Sequence, residues 1–98
     1  MNCEYLLEKI QDNPTNPENI EEATKNCNVE DVEKSVRRGL EEEIEIWKKQ
    51  VYPSVEKVEN KLRELTYYLN SLKGGIKAYI DAITGGYYSE NGLRKIKI

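Results

Sequence analysis

The sequence predicts an all-α fold. The first observation is an apolar stripe of Val29, Val32, Val36, Leu40, Ile44, Trp47, Val51, Val55, Val58, Leu62, Leu65, Leu69 and Leu72. Every gap is three or four residues, the spacing of one helix face. The second is a set of punctuation marks, Asn13-Pro14-Thr15-Asn16-Pro17, Asn26-Cys27-Asn28, Gly74-Gly75 and Gly85-Gly86, each placed where a helix should stop or start.

Taken in order, a short helix is expected near 2–11, with Cys3, Leu6, Leu7 and Ile10 on one face. Asn16 should cap the next helix, 17–25, with Pro17 at its first position and Glu18 in its first turn. Ile20 and Ala23 face inward. Asn28 should cap the helix that begins the stripe, with Glu30 and Asp31 near its positive end.

Pro53 interrupts the stripe and leaves two readings for 29–72. A proline inside a helix removes a hydrogen bond and clashes with the preceding turn, at about 3 kcal/mol. The phase nevertheless runs unbroken across it, which favours one long bent helix over a helical hairpin. A continuous helix over this span would be roughly 66 Å long, too long for a compact monomer and therefore a sign of an elongated shape or an oligomer. Gly74-Gly75 ends the stripe. A further helix is expected over 76–84, with Ile76, Tyr79, Ile80 and Ile83 on its apolar side. Asn91-Gly92 within YYSENGLRKIKI allows a short terminal β-hairpin.

The chain of 98 residues reads as a single helical domain, 1–98. Residues 1–47 form an acidic half of net charge −8; residues 48–98 form a basic half of +5 that holds six of the seven tyrosines. Such a split suggests that opposite ends meet electrostatically, within one chain or between copies. Mean hydropathy is −0.79 and no apolar run approaches the ~20 residues of a bilayer span. The N-terminus carries acids early and lacks a basic, then apolar, leader pattern. A soluble, cytoplasmic protein is the expectation.

Catalysis has little to stand on. Histidine is absent, which removes the commonest general base and a common zinc ligand. Ser35, Ser54, Ser71 and Ser89 lack a nucleophile context. Glu41, Glu42, Glu43 and Glu45 splay around a helix and read as a solvated face. No catalytic, cofactor or metal residue is expected. Cys3 and Cys27 are expected to pack as small apolar residues, with a disulfide as the alternative. Trp47 lies on the stripe where the two halves meet, either as a core anchor or as a contact for a partner.

The stretch IEEATKNCNVEDVEKSVRRGL, with Ala23 in its first helix, a tight turn, and Val29, Val32 and Val36 after it, resembles a helix-turn-helix over 17–40. VEDVEKSVRRGLEEEIE is also similar to the second helix in the output domain of the sporulation response regulator family. The resemblance implies DNA binding, with Lys34, Arg37 and Arg38 as the nucleic-acid contacts. The turn departs from the pattern by carrying asparagine and cysteine where glycine is usual. The reading helix also carries Glu30, Asp31, Glu33 and Glu41–Glu43, which phosphate repels. In the C-terminal half, tyrosines beside lysines suit single-stranded nucleic acid, the margin of a helical core, or a membrane surface.

The expected role is therefore a non-enzymatic interaction or assembly module. It would form a homo-oligomer through the seam Leu40, Ile44, Trp47, Val51, Val55, Val58, Leu62, Leu65 and Leu69, leaving the acidic N-terminal half available to a basic protein partner. The alternatives are a small DNA-binding regulator or packaging accessory protein, and an acidic mimic of nucleic acid that blocks a basic enzyme.

Overall fold

Helix boundaries fall where side chains satisfy exposed backbone groups. The computed structural model describes residues 3–49 and 55–85. Helix α1 spans Cys3–Asp12, α2 Pro17–Asn26, α3 Val29–Lys48, α4 Val55–Ser71 and α5 Ile76–Gly85, with a single 3-10 turn at Leu72–Gly74. Asn16 caps α2, its side-chain oxygen accepting the Asn19 N–H at 3.2 Å, and Pro17 sits in the first turn. Asn28 caps α3 by accepting the Glu30 N–H at 2.8 Å. Each cap satisfies one of the donors that a helix start leaves without a partner. Gly75 turns the chain between the 3-10 turn and α5 with φ at 101°, a conformation that costs a residue with a Cβ. Its N–H donates to Leu72 O at 3.0 Å, and its carbonyl accepts the Tyr79 N–H at 3.1 Å. All regular structure among the described residues is helical, as the sequence predicts.

The apolar faces converge on one core. Leu6 and Ile10 of α1, Ile20 and Ala23 of α2, Val32, Val36 and Leu40 of α3, Leu65 and Tyr68 of α4, and Tyr79 and Ala82 of α5 are buried together, with Leu72 between the last two helices. Helix α3 is the hub, packing on each of the other four helices. Its closest approach is to the end of α1. A Cβ added at Gly39 would stand 2.8 Å from Gln11 O and 3.1 Å from the Pro14 side chain, so only glycine lets these two backbones meet. Tyr79 locks α5 to the same α1–α2 turn. Its hydroxyl donates to Pro14 O at 2.6 Å, and its ring meets that of Tyr68 edge to face at 6.4 Å.

The stripe over 29–72 is carried by two helices. Helices α3 and α4 pack side by side, which one continuous helix could not do, and the described residues extend 40 Å at most. The hairpin alternative replaces the long bent helix. The phase runs unbroken because both helices turn their apolar faces to one shared core. Pro53, together with Val51 and Tyr52, lies outside the described residues, as does the hairpin expected at Asn91-Gly92.

A second correction concerns the cysteines. Cys3 and Cys27 are joined in a disulfide, with their Cα atoms 5.6 Å apart. The reason is the fold of α1 back along α2. Cys3 and Cys27 lie equally far in sequence from Thr15 in the connecting turn, so pairing the helices brings them side by side.

Candidate interaction surface

Helix α3 presents two faces of opposite character. Val32, Val36 and Leu40 point inward and are fully buried. On the opposite side, Glu30, Asp31, Lys34, Arg37, Arg38, Glu41, Glu42, Glu45 and Lys48 are exposed, with Lys49 at the cap. Lys48 pairs with Glu45 at 3.5 Å, both side chains being more than half exposed. Lys34, Arg37, Arg38, Glu41 and Glu42 form no ion pair with another described residue. The three residues predicted to contact nucleic acid thus share one open face, and acids lie on both sides of them along the helix. Lys34 and Arg38 also line a shallow groove of about 270 Å³ against Glu4, Glu8 and Gln11 of α1.

The predicted seam divides into a buried and an open part. Leu40 and Leu65 are core residues; Ile44, Trp47 and Leu69 pack against that core. Beyond them, at the C-terminal end of α3 and the N-terminal end of α4, Val58 and Leu62 are only half-buried. Val55 is 74% exposed there, and Ile46, just off the stripe, is 57% exposed. Val51 lies outside the described residues. The inner part of the stripe therefore builds the fold, and its outer part leaves apolar surface at one end of the helix pair.

A cleft of about 230 Å³ opens where the α1–α2 turn meets α3, α4 and α5. Its polar lining includes Asn13, Thr15, Glu43, Lys61 and Glu64, with Tyr68 and Ile83 at the apolar side. Lys61 pairs with Glu64 at 3.6 Å, and the Tyr68 hydroxyl donates to the same carboxylate at 3.2 Å. These groups satisfy one another, and no buried side-chain polar atom among the described residues lacks a partner. Tyr79 lies behind the cleft, and burial, aided by Tyr68, pushes its phenol above the ordinary value. No group of three or more histidine, cysteine, aspartate or glutamate residues among those described is placed to hold a metal. No helix of the described residues is long and apolar enough to cross a membrane.

The sequence reading admits the disulfide only as the alternative and does not reach the Tyr79 hydrogen bond. The disulfide could have been found from the mirrored positions of Cys3 and Cys27. The Tyr79 hydrogen bond could not, because its acceptor is a backbone carbonyl 65 residues away. Helices α2 and α3, joined through Cys27 and Asn28, occupy the span that resembles a helix-turn-helix, and the disulfide ties their turn to α1. Compared with known proteins, the chain matches no family model, no curated protein and no solved structure.

Proposed function

We propose that the protein is a non-enzymatic helical module for protein–protein interaction or assembly. The observation that carries this reading is the open end of the α3–α4 pair. Val55 and Ile46 are strongly exposed there beside half-buried Trp47, Val58 and Leu62. Large apolar side chains left open to water are candidate contact points, and a half-buried tryptophan such as Trp47 is a typical anchor of such contacts. The test is Ile46→Asp combined with Val55→Asp. Both residues are exposed, so circular dichroism should show the fold intact. Association at about 0.5 M salt, where contacts between exposed charges are screened, should fall at least tenfold when measured by light scattering of the pure protein and by cross-linking to proteins in a lysate. Association unchanged by the double substitution would refute the reading.

A second reading is a small DNA-binding regulator. It is favoured by the shared exposure of Lys34, Arg37 and Arg38 on α3. Duplex binding that weakens steeply with salt, and is lost in Arg37→Glu with Arg38→Glu, would support it. The acids on either side of these residues weigh against it, since they would face the same phosphates. Location follows from redox chemistry. A cytoplasmic protein would have to fold with Cys3 and Cys27 as thiols, whereas the disulfide favours an oxidising compartment.

A further inference from the structure

We propose that the outer face of α3 binds the same face of a second copy, the two helices running antiparallel about a two-fold axis over the middle of α3. This goes beyond the apolar end of the α3–α4 pair and uses a different surface, the charged outer face of α3. The charges on that face come in four blocks along the helix: acidic Glu30 and Asp31, basic Lys34, Arg37 and Arg38, acidic Glu41, Glu42 and Glu45, and basic Lys48 and Lys49. The outer two blocks and the inner two blocks are each centred on the same point, midway between Gly39 and Leu40. A two-fold axis at that point lays Lys34, Arg37 and Arg38 on the second copy's Glu41, Glu42 and Glu45. It also lays Glu30 and Asp31 on the second copy's Lys48 and Lys49. Every block meets its opposite, and the symmetry repeats each contact, as an isologous interface requires.

Other arrangements fail on the same pattern. Parallel helices would set each block on itself, like on like. Sliding the antiparallel pair by one helical turn, about 5.4 Å, brings Lys34 onto Lys49 in one direction and Arg37 onto Arg38 in the other. The charges therefore specify both direction and register, which is what charge complementarity does best. The residues are available for the contact. All of them are exposed, they sit opposite the buried Val32, Val36 and Leu40, and Lys34, Arg37, Arg38, Glu41 and Glu42 have no ion pair with another described residue. One helix of 20 residues offers an interface below the ~1,000 Å² expected of a tight dimer. Glu4 and Glu8 across the groove add some repulsion. The dimer is consequently weak, and salt should dissolve it, because exposed charges are screened within about 10 Å at 0.1 M ionic strength.

The test is sedimentation equilibrium of the full chain at low and high salt. The wild type should dimerise at roughly 0.1 mM protein in low salt and become monomeric near 0.5 M salt. Arg37→Glu with Arg38→Glu should weaken the dimer at least tenfold, and so should Glu41→Arg with Glu42→Arg. An equimolar mixture of the two variants should form a heterodimer, and one chain carrying all four substitutions should dimerise with itself again. That rescue also shows that the variants fold. A wild type that stays monomeric in low salt overturns the proposal, as does a mixture that fails to associate. So does a monomer that binds duplex DNA through Arg37 and Arg38. A dimer indifferent to all four reversals but lost in Ile46→Asp with Val55→Asp overturns this proposal and leaves the assembly reading standing. The assembly reading fails separately, if association that survives high salt is unchanged by the substitutions at Ile46 and Val55.

Discussion

Removing the Cys3–Cys27 link tests the packing of α1 against α2 and has a size that can be worked out beforehand. The bond closes a loop from residue 3 to residue 27, with a sequence separation of 24. Loop-closure entropy for a ring of about 25 residues gives roughly 3.5 kcal/mol at 25 °C. For a chain of this size a loss of that order lowers Tm by roughly 15–25 °C. The loss is concentrated in α1, which rests on α2 and α3 through Leu6 and Ile10 and has no other covalent tie near its start. The assay is guanidinium denaturation of three samples: oxidised wild type, wild type with a reductant, and Cys3→Ala with Cys27→Ala. The last two should agree with each other and fall below the first in midpoint. The m-value should be larger without the cross-link, since the freed unfolded chain exposes more surface. Intact mass should show two hydrogens fewer in the oxidised protein. Equal midpoints for all three samples, or free thiols at both positions in protein purified under air, would refute the reasoning.

Tyr79→Phe should cost about 1–3 kcal/mol, because it leaves Pro14 O buried without its donor; an unchanged midpoint would mean that the hydrogen bond has no net value. The same phenol sets an alkaline limit. Burial raises its pKa in the folded state above the ordinary 10.0, so below that pH neither state ionises and the full stability is present. Above it the unfolded state loses the proton first and stability falls as pH rises, by up to about 1.4 kcal/mol per pH unit. Denaturation midpoints between pH 8 and 11 should show this decline in the wild type and less of it in Tyr79→Phe. Gly39→Ala should destabilise by about 1–3 kcal/mol despite alanine's better helix propensity, since its Cβ meets the Gln11 backbone. Gly85→Ala, with open space around it, should be neutral or slightly stabilising, and thermal melts of the two variants would separate steric from propensity effects.

Local signals in the sequence were read correctly because their physics is local. Asn16, Asn28 and Gly75 each act on backbone groups within a few residues, so helix starts and the Gly75 turn follow from composition alone. The stripe was legible as a helix face for the same reason. Its partner was not. Periodicity reports that Val36, Leu40 and Leu65 need covering, but the cover can be another helix of the same chain or another chain, and the spacing is identical for both. The correct choice required knowing that α1 and α4 both fold onto α3, a fact held by contacts distant in sequence such as Gly39 against Gln11.

The candidate interface was legible only in part, and for a related reason. The acids and bases of α3 are plain in the sequence, and the acids around Lys34, Arg37 and Arg38 already count there against DNA. Their meaning depends on which residues share their face. Once Val32, Val36 and Leu40 are seen to point inward, Glu30, Asp31, Glu41, Glu42, Glu45, Lys48 and Lys49 must join the three bases on the outside. A helix that is basic in the middle of one turn and acidic in the next is a poor ligand for a uniformly negative duplex. It is a good ligand for a surface with the reverse order, and the reverse order is what the same helix presents when turned end for end. The burial of the inner stripe thus does more than build the core. It fixes which charges face outward, and their order along the helix is the ground for proposing a second copy of α3 as the surface that matches them.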